Sequence, residues 1–103
     1  MNKITAKIHS MLKRYNKKCI SPFSINCGNC DIFAQELQEA FPRGRMIWGE
    51  DWPEVFTTKV DPFGHCFFKY GKKYYDSESP YGEASPSDLQ YYKRQEQTNL
   101  ASR

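Results

Sequence analysis

Gly64-His65-Cys66-Phe67-Phe68-Lys69-Tyr70-Gly71-Lys72-Lys73-Tyr74-Tyr75-Asp76-Ser77-Glu78 reads as two strands folded back on one another. Gly71-Lys72 suits a two-residue type II′ turn, which needs glycine at its first central position. With that turn Tyr70 opposes Lys73 and His65 opposes Glu78. Side chains alternate along a strand, so His65, Phe67 and Lys69 share a face with Tyr74, Asp76 and Glu78. Asp76 is then a diagonal neighbour of His65, placed to hold the imidazole in one tautomer and to stabilise its protonated form. A three-residue loop would reverse the parity. Cys66, Phe68, Tyr70 and Tyr75 fall on the opposite face and read as core.

Upstream, Met46-Ile47-Trp48 and Val55 to Val60 are further candidate strands, separated by the acidic, proline-containing loop Gly49 to Glu54. The strand-like region spans 45–79. Before it, Phe33, Leu37, Ala40 and Phe41 form one apolar stripe, widened by Ile32, and predict a helix from Cys30 to Phe41. Pro42 and Gly44 end it, and Asn29 is placed to cap it. Asn16 to Asn29, with Pro22 and Gly28, breaks the helical period and reads as a loop. Ile4, Ile8, Met11, Leu12 and Tyr15 predict an amphipathic helix over 2–15, with lysines opposite. At the other end Ser85-Pro86-Ser87-Asp88-Leu89 is a helix-start signature, with Ser85 as cap, Pro86 at the first helical position and Asp88 closing a capping box. It predicts a short helix over 86–95, followed by polar, frayed residues. The expectation is a single α+β domain over 1–103, with N-terminal helices packed on a small antiparallel sheet.

A chain of 103 residues supports one modest core. With 16% aromatic residues, that core is expected to be built from few, large side chains. The net charge is +3 and the basic excess sits early, at Lys3, Lys7, Lys13, Arg14, Lys17 and Lys18, with a second basic cluster at Lys69, Lys72 and Lys73. These read as solvated faces. The aromatics follow hydrophobic alternation and carry no RNA-binding signature, so nucleic acid is not the expected partner. No apolar run approaches the roughly 20 residues of a membrane span, and no secretory signal is visible. The expected location is therefore the cytoplasm, where the four cysteines are thiols or ligands rather than two disulfides.

The chemistry centres on Ile25-Asn26-Cys27-Gly28-Asn29-Cys30-Asp31-Ile32-Phe33-Ala34. A small polar turn delivers Cys30 to a helix start, where free N–H groups and the helix dipole favour a thiolate. The competing reading is a small buried hydrophobe. A nucleophilic cysteine needs a base and a group to orient that base. The chain supplies them in the order Cys30, His65, Asp76.

Cys27-Gly28-Asn29-Cys30-Asp31-Ile32-Phe33-Ala34 resembles the Cys-Gly-Ser-Cys-Trp-Ala-Phe-Ala run of papain-type cysteine proteases, in which the second cysteine is the nucleophile. The segment Gly64 to Glu78 resembles the histidine and aspartate hairpin of transglutaminase-like and NlpC-type members of the papain-like superfamily. The resemblance covers Asn26 to about Gly82. It implies a papain-like fold and a thiol hydrolase or acyltransferase acting on an amide, isopeptide or related acyl bond of a protein or peptide, with Cys30, His65 and Asp76 as triad and no cofactor. Two positions depart from papain. Asp31 replaces the aromatic after the nucleophile and opposes a thiolate by its charge. The papain glutamine six residues before the cysteine falls on Ser24, so Asn26 and the Cys30 N–H are the substitute oxyanion donors, with Cys27 as support.

Three other readings compete. Cys27 and Cys30 have the spacing of half a zinc knuckle, with His65 and Cys66 as distant partners. Cys-x-x-Cys before a helix is also the thioredoxin arrangement, though no strand pattern precedes it here. The third is a non-catalytic module of the same fold that binds a protein partner through tyrosines such as Tyr81, Tyr91 and Tyr92.

Overall fold

Apolar residues at every third or fourth position commit the first segment to a helix with one buried face. In the computed structural model, which describes residues 2–52 and 64–101 with side chains through residue 95, this is α1 (Lys3–Asn16). Ile4, Ile8 and Met11 are buried, and the Asn2 side chain accepts the Thr5 N–H at 2.7 Å, supplying the cap.

The segment expected as a loop over 16–29 instead contains a second helix, α2 (Pro22–Gly28). Its start carries the same signature as Ser85-Pro86: the Ser21 side chain accepts from the Ser24 N–H, and Pro22 fills the first turn. α3 (Cys30–Ala40) follows after one residue. Phe33 and Leu37 are buried as expected, whereas Ala40 is exposed and Ile32 is 55% exposed. Cys30 and Ala34 complete the buried stripe in their place, so the helix is rotated away from the side on which Ile32 would widen it. Gln38 ties the end of α3 to the first strand, donating to the Gly44 carbonyl at 2.6 Å and accepting the Met46 N–H at 2.9 Å.

Four strands follow among the described residues: β1 (Arg45–Trp48), β2 (Cys66–Tyr70), β3 (Lys73–Asp76) and β4 (Ser79–Glu83). They form one antiparallel sheet in the order β1-β2-β3-β4. The acidic loop begins as a 3₁₀ turn at Gly49–Asp51, and the candidate strand Val55 to Val60 lies outside the described residues. β4 lies beyond the expected strand region except for Ser79 and contains Pro80 and Gly82, which an edge strand tolerates. The hairpin has the expected two-residue turn. Tyr70 pairs with Lys73, and Gly71 has φ +63. Lys72 is not among the residues with positive φ, so the turn is type II′ rather than I′.

This register sends the two faces of the sheet to different partners. Phe68 and Tyr75 pack against Ile4, Ile8, Met11, Ile25, Phe33 and Leu37 of the three N-terminal helices. On the other face Ile47 and Phe67 pack against Leu89 and Tyr92. The C-terminal helix that covers this face starts later than expected. Pro86–Asp88 is a separate 3₁₀ turn, Leu89 is extended, and α4 runs over Gln90–Ala101 rather than fraying after 95. The predicted capping box does not form. Ser85 bonds Ser87 side chain to side chain at 3.0 Å, and the Ser79 hydroxyl, not Ser85, accepts the Gln90 N–H at 3.1 Å. No helix among the described residues is long and apolar enough to cross a membrane.

Gly44 is the tightest approach between the α3–β1 connection and the sheet. A Cβ there would collide with the Phe68 ring and stand 2.9 Å from the Lys69 carbonyl. Gly44→Ala is expected to lower stability by about 1–3 kcal/mol in urea unfolding. Gly28→Ala, where a Cβ meets nothing within 4 Å, is expected to be neutral or to stabilise by roughly 0.4–1 kcal/mol. Equal effects at the two positions would contradict this packing.

Candidate active site

α2 and α3 meet at Asn29, and the site is built around that joint and His65, the residue just before β2. The Asn29 backbone serves both helices, its N–H going to the Ile25 carbonyl at 2.7 Å and its carbonyl accepting from Phe33 at 2.9 Å. Its side chain makes no capping bond, contrary to the expectation for this residue. Cys30 opens α3 and is 7% exposed. It lies against the backbone at the start of β2, accepting the Cys66 N–H at 3.4 Å and directing its own S–H toward the Gly64 carbonyl at 3.9 Å.

Between those two backbone contacts stands His65, fully buried. Its Nε2 is 3.0 Å from Asp76 Oδ2, the diagonal pairing that the hairpin register predicts. An ionised carboxylate only accepts, so Nε2 carries the proton and a neutral ring keeps its lone pair on Nδ1. Nδ1 is buried and has no hydrogen-bond partner among the described residues. Asp76 is itself fixed, because its Oδ1 accepts the Glu78 N–H at 2.9 Å.

The electrostatics follow from this packing. Burial, the largest single influence, raises the Cys30 pKa, but the neighbouring His65 and the Cys66 N–H together outweigh it, and the thiol ends below its ordinary range despite the opposing charge of Asp31. For His65 burial again acts first and lowers the pKa. The bond to Asp76 and the proximity of Cys30 reverse it, leaving the imidazole easier to protonate than a free one. Both shifts favour a thiolate beside an imidazolium. Cys66 is the contrast: buried among Ala34, Met46 and Trp48, its thiol is pushed up to about 12 and stays protonated at neutral pH.

Aromatic side chains of α4 close the imidazole from the other side. The Tyr91 ring stacks on His65 with centroids 4.0 Å apart and planes 11° from parallel, and Tyr92 meets it edge-on at 5.5 Å. Arg94, one turn on, forms a bidentate pair with Glu78 at 2.6 and 2.7 Å. None of the three was predicted as part of the site. A hydrophobic run can announce a helix, but no local signal says which strand residue its side chains will meet.

The remaining sequence-predicted residues separate. Asn26 is buried, and its amide nitrogen donates to Glu78 Oε1 at 2.8 Å, so a carboxylate engages one of its two amide hydrogens. Cys27 is exposed and enters none of the hydrogen bonds around Cys30. The segment leading into Cys27 is a helix, unlike the strand that precedes a thioredoxin-type pair. Among the described residues no group of three or more His, Cys, Asp or Glu side chains converges as a metal site. Of the tyrosines offered as a binding surface, Tyr81 is exposed, Tyr91 lies on His65 and Tyr92 is core. No protein-family model, curated protein or solved structure matches the chain.

Asp76→Asn removes the strongest of the influences that raise the His65 pKa, leaving that of Cys30. Because that pKa is raised on folding, the associated stability is fully present below the unfolded value of 6.5 and is lost as pH rises through the folded one. The substitution is therefore expected to lower the imidazole pKa in NMR titrations and to cost more stability near about pH 5.5 than near about pH 9. An unchanged His65 titration would refute the assignment.

Proposed function

We propose that this chain is a minimal papain-like thiol hydrolase or acyltransferase acting on an amide, isopeptide or related acyl bond of a protein or peptide. The observation that carries the reading is the buried His65–Asp76 bond, which leaves Nδ1 as the imidazole atom without a partner among the described residues, next to a helix-start cysteine. In this reading His65 takes the Cys30 proton and the sulfur attacks the substrate carbonyl. The resulting oxyanion is met by backbone N–H groups at the α3 start, a helix end being a source of donors without intrahelical acceptors. The imidazolium then protonates the leaving amine as the C–N bond breaks, giving a thioester on Cys30. Water releases a carboxylic acid from that thioester, or a second amine takes the acyl group; either returns the thiol and imidazole. Asp76 keeps the tautomer and steadies the charged ring.

A second reading has its own support. His65 is fully buried and Cys30 nearly so, as in a fold retained for binding a protein partner after catalysis has been lost. The two separate in one experiment, iodoacetamide labelling followed by peptide mass spectrometry. The hydrolase reading expects Cys30 to outpace the exposed Cys19 and Cys27 near neutral pH, and His65→Ala to slow it by about tenfold for each unit by which the thiol pKa rises. A Cys30 that stays inert in the folded protein would leave the binding module, whose biological activity should survive Cys30→Ser.

A further inference from the structure

Glu78 sits two residues beyond Asp76, in the turn between β3 and β4, and touches three separate parts of the site. Its backbone N–H holds Asp76 Oδ1 at 2.9 Å. Its carboxylate accepts from Asn26 Nδ2 at 2.8 Å and from both terminal nitrogens of Arg94. Asn26 lies on α2, one turn before the nucleophile, and Arg94 lies on α4, one turn after the tyrosine stacked on His65. The same turn is anchored a second time by the Ser77 hydroxyl, which donates to the Pro22 carbonyl at 2.7 Å at the start of α2. Arg94 also lies over the Phe23 ring, 4.6 Å from its centroid, so α4 and α2 meet across Glu78.

We infer that Glu78, through its Asn26 and Arg94 contacts, is the positioning residue that sets the nucleophile, the base and the orienting carboxylate against one another. The inference rests on the thiol-hydrolase reading and adds a residue that touches no reacting atom. The physical reason is the way the triad is distributed. Cys30 approaches from the helices on one face of the sheet, whereas the His65 and Asp76 side chains occupy the other face beneath α4. Backbone hydrogen bonds of β2 and β3 fix His65 relative to Asp76, but they do not fix either relative to α2 and α3. The Glu78 carboxylate bridges that gap from the turn that directly follows Asp76. A bidentate guanidinium pair supplies direction as well as attraction. Burial works against the Glu78 charge, and the Arg94 and Asn26 bonds, with a contribution from His65, overcome it and keep the group ionised.

The test compares Glu78→Gln, Arg94→Gln and Arg94→Lys with wild type. The readouts are the pH profile of Cys30 alkylation and the NMR titration of His65. Glu36→Gln, which breaks the exposed pair with Arg14 and Lys7, controls for loss of any ion pair. A field effect alone would move His65 in opposite directions when the acid and the base are neutralised. Positioning moves it down in both, and slows Cys30 labelling at neutral pH by roughly threefold to tenfold in both, a shift of half to one pKa unit. Arg94→Lys is expected to recover part of the loss and Glu36→Gln to change neither readout. Opposite His65 shifts, or wild-type profiles in folded Glu78→Gln and Arg94→Gln, would overturn the inference. If Glu78→Gln does not fold, the more exposed Arg94→Gln decides alone: a lowered His65 pKa supports positioning and a raised or unchanged one rejects it. Failure of the underlying reading looks different, since wild-type Cys30 would then show no dependence on His65 at all.

Discussion

Burying an imidazole deprives two nitrogen atoms of water, and the cost is recovered only where the protein supplies partners. Among the described residues His65 has one such partner, Asp76, for its Nε2, and aromatic rings around it. Much of the architecture serves that pairing. The type II′ turn at Gly71-Lys72 brings the two residues to one face, β1 and β4 flank the hairpin, and α4 excludes solvent from the face on which the pair lies. Removing water also sharpens every interaction left inside, so the Cys30 and His65 charges feel each other more strongly than they would at the surface.

The same burial explains why chemically similar groups behave differently over short distances. Cys30 and Cys66 share one small cluster with Ala34, yet one thiol is eased toward ionisation and the other driven away from it. The difference lies in what faces each sulfur. Cys30 has a backbone N–H and an imidazole beside it, whereas desolvation dominates at Cys66 and the Cys30 and Asp31 charges add to it. Side-chain alternation at the entry to β2 decides this, since it turns His65, just before the strand, and Cys66, its first residue, to opposite sides.

Local periodicity carried most of what was legible in the sequence. The α1 stripe, the hairpin register and the juxtaposition of His65 with Asp76 follow from spacing and turn chemistry within 15 residues of chain, and they reappear in the structure. The misreadings have specific causes. α2 went unseen although Ser21-Pro22 carries a helix start, because seven residues give too little apolar period to register. α4 was placed four residues early because Ser85-Pro86 opens a 3₁₀ turn instead, and its actual cap, Ser79, lies eleven residues before Gln90. Asn26 and Glu78 are 52 residues apart, a separation at which no spacing rule operates. No spacing or turn rule within the chain points to the side chains, Asn26 and Arg94, that meet at Glu78.

The covering of His65 by α4 also has a temporal side. A chain emerging from a ribosome presents Cys30 first, then His65, then Asp76, and the rings of Tyr91 and Tyr92 last. Until those late residues arrive, Phe67 and Ile47 have no apolar cover from Leu89 and Tyr92, and the imidazole stands in water. Vectorial synthesis therefore brings Cys30, His65 and Asp76 out of the ribosome before the environment that tunes them. The finished electrostatics of the site belong to the completed chain, and a nascent one passes through an interval in which its sheet is open and adhesive.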